Sequence, residues 1–271
     1  MNNKLTSLMV VMTLIVIGYY VYQKQQSVKQ FERPLFIAHA SGGIDGLTYL
    51  NSLEALNYNY EIGQRYFEVD FSWTSDDELV LIHDWKFTYK RLFNNETEVA
   101  PTEQEFLKMR MRFNQTQLSL KQFSQWINKH PEAILVADVK AYNIKGLKKL
   151  VATIENPFHR IIPQIYKINN YQKIIDLGFE GENIMFAMYK TMKLTDEILE
   201  FIKTNKLFAI SVQPAKEYFN TILKEIGNTD TYIYSLTIND LKIFNEYRQM
   251  GLDGTVTDFL FLMNNEIVTQ N

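Results

Sequence analysis

In the stretch RYFEVDFSWTSDDELVLIHDW, residues 65–85, two runs of strand-forming residues carry Glu68, Asp70, His83 and Asp84. Alternate side chains of a β-strand share a face, so Glu68 and Asp70 project together while Phe67, Val69 and Phe71 project the other way. Two carboxylates held that close repel, and either one of them takes up a proton or a cation sits between them. A pair of solvated acids on an exposed strand is the alternative, because acidic residues mostly lie at the surface. The apolar and aromatic flanks oppose it, and a second apolar run, 79–82, ends directly in His83-Asp84 after the turn-like Ser75, Asp76 and Asp77. Polar groups gathered where buried strands end are the arrangement of an active site.

Asp138 and Lys140 repeat the pattern in AILVADVK, 133–140: both leave one face, the carboxylate as a third metal ligand, the ammonium aimed at an anion or paired with Asp138. Three carboxylates in a chain with four histidines and no cysteine favour a hard, oxygen-liking ion, Ca²⁺ or Mg²⁺, over zinc. Such an ion polarises a phosphoryl oxygen. His39 and His83 then divide the proton transfers, and no protein nucleophile is needed. Tyr189, Gln213 and Thr237 end later strands; Tyr189 and Gln213 are weaker substrate-binding candidates, and His130 and His159, which precede strands, read as structural.

These groups need a scaffold whose strand ends converge. From residue 35 the chain alternates apolar runs with helical segments: strands at 35–40, 65–71, 78–83, 133–140, 160–166, 183–189, 207–213, 231–237 and 254–258, with helices at 52–62, 119–128, 144–154, 171–177, 195–204, 215–226 and 239–249. Residues 85–118 read as an insertion with short helices. About eight β–α units over this length predict an α/β fold, a closed (β/α)₈ TIM barrel, with chemistry at the C-terminal ends of the strands. A doubly wound sheet is the competing architecture, but Ser41-Gly-Gly-Ile-Asp45 lacks the spacing of a nucleotide-binding turn.

Of 271 residues, 46% are hydrophobic and 22% charged, enough for one domain with a full core. Residues 5–22 carry no charge and are just long enough to span a bilayer, with Tyr19, Tyr20 and Tyr22 placed as an interface belt, so 1–30 reads as a membrane anchor and linker and 31–271 as the barrel. No cleavage pattern follows. Flanking charges leave orientation open; an extracytoplasmic domain on a single-pass anchor is the expectation. Residues 1–33 hold four of the 28 basic and one of the 31 acidic residues, which leaves −6 on the rest and disfavours nucleic acid. Absence of cysteine excludes disulfides, thiol catalysis and Cys-ligated zinc.

The ordered set IAHA, NS, FEVDFSWTSDDELVLIHDW, LVADVK, SLTIND and GLDGTVTD resembles the glycerophosphodiester phosphodiesterases of the phospholipase-C-like TIM-barrel superfamily, over residues 35 to about 260. The resemblance implies metal binding by Glu68, Asp70 and Asp138, acid and base roles for His39 and His83, and oxygen-holding roles for Asn51 and Lys140. It also implies a phosphodiester small molecule or lipid head group as substrate, with the substrate's own neighbouring hydroxyl able to attack phosphorus. Three positions depart from the pattern. Ala40 stands where the family usually has Arg, Leu50 where it has Glu, and Asp138 where Glu is commoner. Losing that Arg removes a bidentate phosphate contact. Two other readings follow from these features: a barrel that binds an anionic ligand at the cell surface without turnover, and a lyase like the phosphatidylinositol-specific phospholipases C.

Overall fold

The computed structural model describes residues 31–189, 193–227 and 229–270. The expected anchor at 5–22 lies outside them, and among the described residues no helix is long and apolar enough to cross a membrane. Eight parallel staves make the barrel: β1 (Phe36–Ala38), β2 (Tyr66–Trp73), β4 (Ile134–Val139), β5 (Ile161–Ile165), β6 (Met185–Ala187), β7 (Ala209–Val212), β8 (Tyr232–Leu236) and β9 (Gly254–Thr257). Each pairs with the next, and β1 closes the ring by pairing with both β9 and β2.

Alternation along the staves sorts side chains into two cores. Ile37, Val136, Ile162, Met185, Tyr234 and Val256 fill the barrel, with Phe31 and Phe208 packed against them ahead of β1 and β7. Phe67, Val69, Phe71, Leu135, Ala137 and Val139 face the helical jacket. That jacket is α1 (Leu53–Glu61), α4 (Leu120–Lys129), α5 (Asn143–Thr153), α6 (Tyr171–Ile175), α7 (Asp196–Thr204), α8 (Lys216–Ile226) and α9 (Leu241–Met250). Residues 85–118 carry α2 (Phe87–Phe93) and α3 (Glu103–Lys108), as the expected insertion with short helices. Capping boxes start two of these helices, Thr102 with Glu105 and Ser119 with Gln122, each satisfying otherwise orphaned N–H groups.

One expected stave is not a stave. β3 (Leu79–Leu81) runs antiparallel to β2, with Phe71 opposite Leu81 and Trp73 opposite Leu79. The reason is reach: only residues 74–78 separate the strands, whereas a parallel return needs a crossover of a dozen or more residues. Since β4 pairs along one edge of β2, β1 and β3 share the other, β1 at Phe67 and β3 at Phe71 to Trp73. His83 therefore does not sit at the end of a barrel strand; it arrives by a strand that descends toward the end of β1. A second difference is a C-terminal hairpin, β10 (Leu260–Met263) and β11 (Glu266–Thr269), turned by Asn264 and Asn265, both left-handed, as a tight hairpin requires.

Candidate active site

Register delivers the acids. Asp70 on β2 lies opposite Asp138 on β4, and Glu68 opposite Val136, a residue of the barrel interior, so all three carboxylates project inward. All three are buried, and one oxygen of each lies within 4.8 Å of the others. Burial and the neighbouring Asp70 push the Glu68 carboxyl up to about 8, and its Oε2 accepts the Ala40 N–H at 2.7 Å. Burial works against ionising Asp70 as well, but Lys140, His83 and His39 outweigh it and hold that carboxyl below its ordinary range. Asn51 grips Asp70 twice, donating to Oδ2 at 2.7 Å and accepting its backbone N–H at 3.0 Å.

Lys140 Nζ stands 2.5 Å from both Asp70 Oδ1 and Asp138 Oδ2. Burial opposes its charge; Asp70, Asp138 and Glu68 more than offset this and keep it firmly protonated. The other Asp138 oxygen accepts the Tyr166 hydroxyl, and Tyr189 Oη lies 3.4 Å from Tyr166 Oη. Tyr166, just beyond β5, has burial and Asp138 raising its phenol well above the usual range, so it remains a donor.

The imidazoles flank this ring of acids. His39 opens a 3₁₀ turn, His39–Ser41, in which Ala40 is left-handed (φ 46°). Its Nδ1 lies 2.9 Å from Asp258 Oδ1, and Asp258 is fixed by Asn239, which donates to Oδ2 at 2.7 Å and accepts the Asp258 N–H at 2.7 Å. Burial disfavours a charged His39, but the bond to Asp258 and the nearby Glu68 and Asp70 carboxylates prevail and lift it to about 9. His83 Nδ1 lies 2.8 Å from Asp84 Oδ2, while Asp84 Oδ1 accepts the N–H groups of Lys86, Phe87 and Thr88 at the start of α2. Asp84 is held down to about 2: partial burial opposes this, and hydrogen bonds from His83, Thr88 and the backbone outweigh it.

The structure thus gathers His39, Glu68, Asp70, Asp138, Lys140 and Tyr189 around one mouth, with His83 entering from β3. Asn51 is spent on Asp70, and Lys140 pairs with Asp138, one of the two roles expected of it. Gln213 lies half-buried just beyond β7, and among the described residues its side chain makes no hydrogen bond to the cluster. His130 lies outside the site, its Nδ1 against the Trp126 carbonyl at 2.6 Å at the end of α4. Sequence reasoning did not single out Asp258, Asn239, Tyr49 or Tyr166. Asp258 was within reach, as a carboxylate that directly follows the last stave of a barrel.

These acids fit a divalent cation. Buried Asp70 Oδ1 meets the Lys140 ammonium but accepts from no other donor among the described residues, and burial and the neighbouring Asp70 force Glu68 toward protonation, so the three acids are under-compensated by one lysine. Oxygen ligands alone suit a hard ion.

The model of the glycerophosphoryl diester phosphodiesterase family matches residues 43–261. Among solved structures, the chain is similar to a glycerophosphodiester phosphodiesterase from Thermotoga maritima, 17% identical over 84% of this chain and 96% of that one, with a TM-score of 0.64. It is also similar to a phosphodiesterase from Oleispira antarctica in complex with the product sn-glycerol-3-phosphate, 15% identical over 83% and 93%, with a TM-score of 0.67. A third, from Parabacteroides distasonis, is 18% identical over 84% and 94%, with a TM-score of 0.62. No curated protein matches. At these identities the structural likenesses carry the barrel, while the family match covers most of the chain and carries the chemistry: the protein belongs to the glycerophosphoryl diester phosphodiesterase family and is a phosphodiester hydrolase.

Proposed function

We propose that the barrel cleaves glycerophosphodiesters, or the related phosphodiesters of lipid head groups and surface polymers, by acid–base catalysis between His39 and His83. The observation that carries this reading is the placement of two carboxylate-backed imidazoles beside a buried ring of three acids. Glu68, Asp70 and Asp138 would hold Ca²⁺ or Mg²⁺, which when bound supplies a Lewis acid for a phosphoryl oxygen. His83, the more open of the two, takes the proton of the attacking hydroxyl or water. His39, kept protonated against Asp258, gives its proton to the departing alcohol oxygen. Lys140 faces the developing negative charge of the phosphorane oxygens. Water and diester are consumed, and a phosphomonoester and an alcohol are released.

With Ala40 where the family usually has Arg, Lys140 faces the acids without a guanidinium beside it at position 40, so small, weakly gripped diesters are the expected substrates rather than ones needing a planar guanidinium clamp. The full chain, given glycerophosphocholine with Ca²⁺ or Mg²⁺, should release sn-glycerol-3-phosphate, stop in EDTA and fail as Glu68→Gln. Turnover indifferent to chelation would overturn the cation site. Membrane anchoring through residues 5–22, with the barrel outside, is part of the same proposal; protease protection of the barrel in intact cells would reverse it.

A further inference from the structure

A third ring stands between the two imidazoles. Tyr49 lies on the strap that leads from the His39 turn to α1, its ring centroid 4.4 Å from His39 at 81° and 5.2 Å from His83 at 88°. Edge-to-face packing is a favoured geometry between aromatic rings. Tyr49 is 36% exposed, so it belongs to the mouth rather than to the core.

Its backbone conformation has to be held in place. Tyr49 has φ 53°, a left-handed geometry that costs a bulky residue and that clusters at functional sites. Arg91 on α2 donates to the carbonyls of Thr48 at 2.5 Å and Tyr49 at 3.1 Å. Leu50 is buried with Ala55, Leu92 and Met111, and the Asn51 N–H donates to the Ala40 carbonyl at 2.9 Å. The strap that carries the ring is therefore clamped from the insertion on one side and tied to the His39 turn on the other.

Each imidazole is fixed at Nδ1 by a carboxylate, Asp258 or Asp84. One hydrogen bond pins one point and leaves the ring free to swing about it. We infer that Tyr49 is a positioning residue: its ring, carried on a strap whose backbone Arg91 holds, sets the planes of His39 and His83 relative to each other, so that both Nε2 atoms face one phosphodiester. The inference rests on these two histidines being the proton carriers. Only the ring is required, so phenylalanine should serve in its place.

The test uses the full chain with a chromogenic diester, bis(p-nitrophenyl) phosphate, and the imidazole Cε1–H resonances. Y49A should lower kcat about 10- to 100-fold, the scale of a small misplacement of reacting groups, with KM nearly unchanged. Y49F should restore most of the loss. Both histidine resonances should move in Y49A and stay in place in Y49F. R91Q, which keeps the ring and releases the strap, should follow Y49A, and carries the test alone if Y49A does not fold. Unchanged kcat in both Y49A and R91Q, or resonances that do not move, would overturn the inference; so would Y49F as impaired as Y49A, which would assign the work to the hydroxyl. If H39A and H83A keep turnover, the acid–base reading fails by itself, and the resonances still decide whether Tyr49 orients the rings.

Discussion

The acids and the imidazoles of this site are held in different ways. Glu68, Asp70 and Asp138 stand on adjacent staves in fixed register, buried, with their outer oxygens already engaged by Ala40, Asn51 and Tyr166. His39 and His83 stand off the staves, one on a 3₁₀ turn and one after a returning strand, each oriented by a carboxylate that is itself held by Asn239 or by the start of α2. The carboxylates are thus fixed to hydrogen-bonded staves, while the imidazoles depend on loops, caps and neighbouring rings. Such division would suit the proposed function, in which a cation seat holds firm while proton donors meet the substrate.

Breaking the charged half should cost most. Lys140→Met would leave three buried acids without their internal cation; in chelator it should lose about 3 kcal/mol by urea denaturation, and Ca²⁺ or Mg²⁺ should recover more of that loss than in the parent. Breaking the imidazole half should show chiefly in rate: His39→Ala should lower kcat about 10²- to 10⁴-fold, and Asp258→Asn, which keeps the shape and loses the charge, should fall short of that.

Proton linkage sharpens the contrast. Glu68 holds its proton up to about 8 when folded and lets it go near 4.5 when unfolded; His39 holds its proton up to about 9 against 6.5. In both windows the folded state binds more protons, so cation-free stability should fall from about pH 5 to pH 9. Glu68→Gln should flatten the lower part of that fall, and His39→Ala the upper part, as measured by thermal melts across pH. A divalent cation should oppose the fall most strongly at the alkaline end.

Smaller effects belong to single supports. Tyr166→Phe removes one donor from buried Asp138 and should cost about 1 kcal/mol, with weaker cation binding by calorimetry. Ser119→Ala, at the start of α4 and away from the mouth, should cost about 1 kcal/mol and leave turnover alone.

The alternation FEVDF placed Glu68 and Asp70 on one face, and AILVADVK did the same for Asp138 and Lys140, because strand periodicity is local and needs no partner. The β–α rhythm likewise announced the barrel. The short link at 74–78, with its turn-like Ser75, Asp76 and Asp77, and the Asn264-Asn265 pair carry a hairpin's reach and turn chemistry in the sequence as well. Tyr49 carried no such signal: nothing about a tyrosine in a loop says which rings it will touch.

What the sequence by itself determined was which side chains share a face and which chemistry they could support. Only the tertiary structure decided that two histidines 44 positions apart would meet, since that depends on β1 and β3 sharing one edge of β2. It also decided that Asp70 would face Asp138 across a stave boundary, and that Asp258 would reach His39 from the far end of the chain. Local periodicity is dictated by bond geometry, whereas these meetings depend on barrel closure and strand register, which are set by the packing of the whole ring.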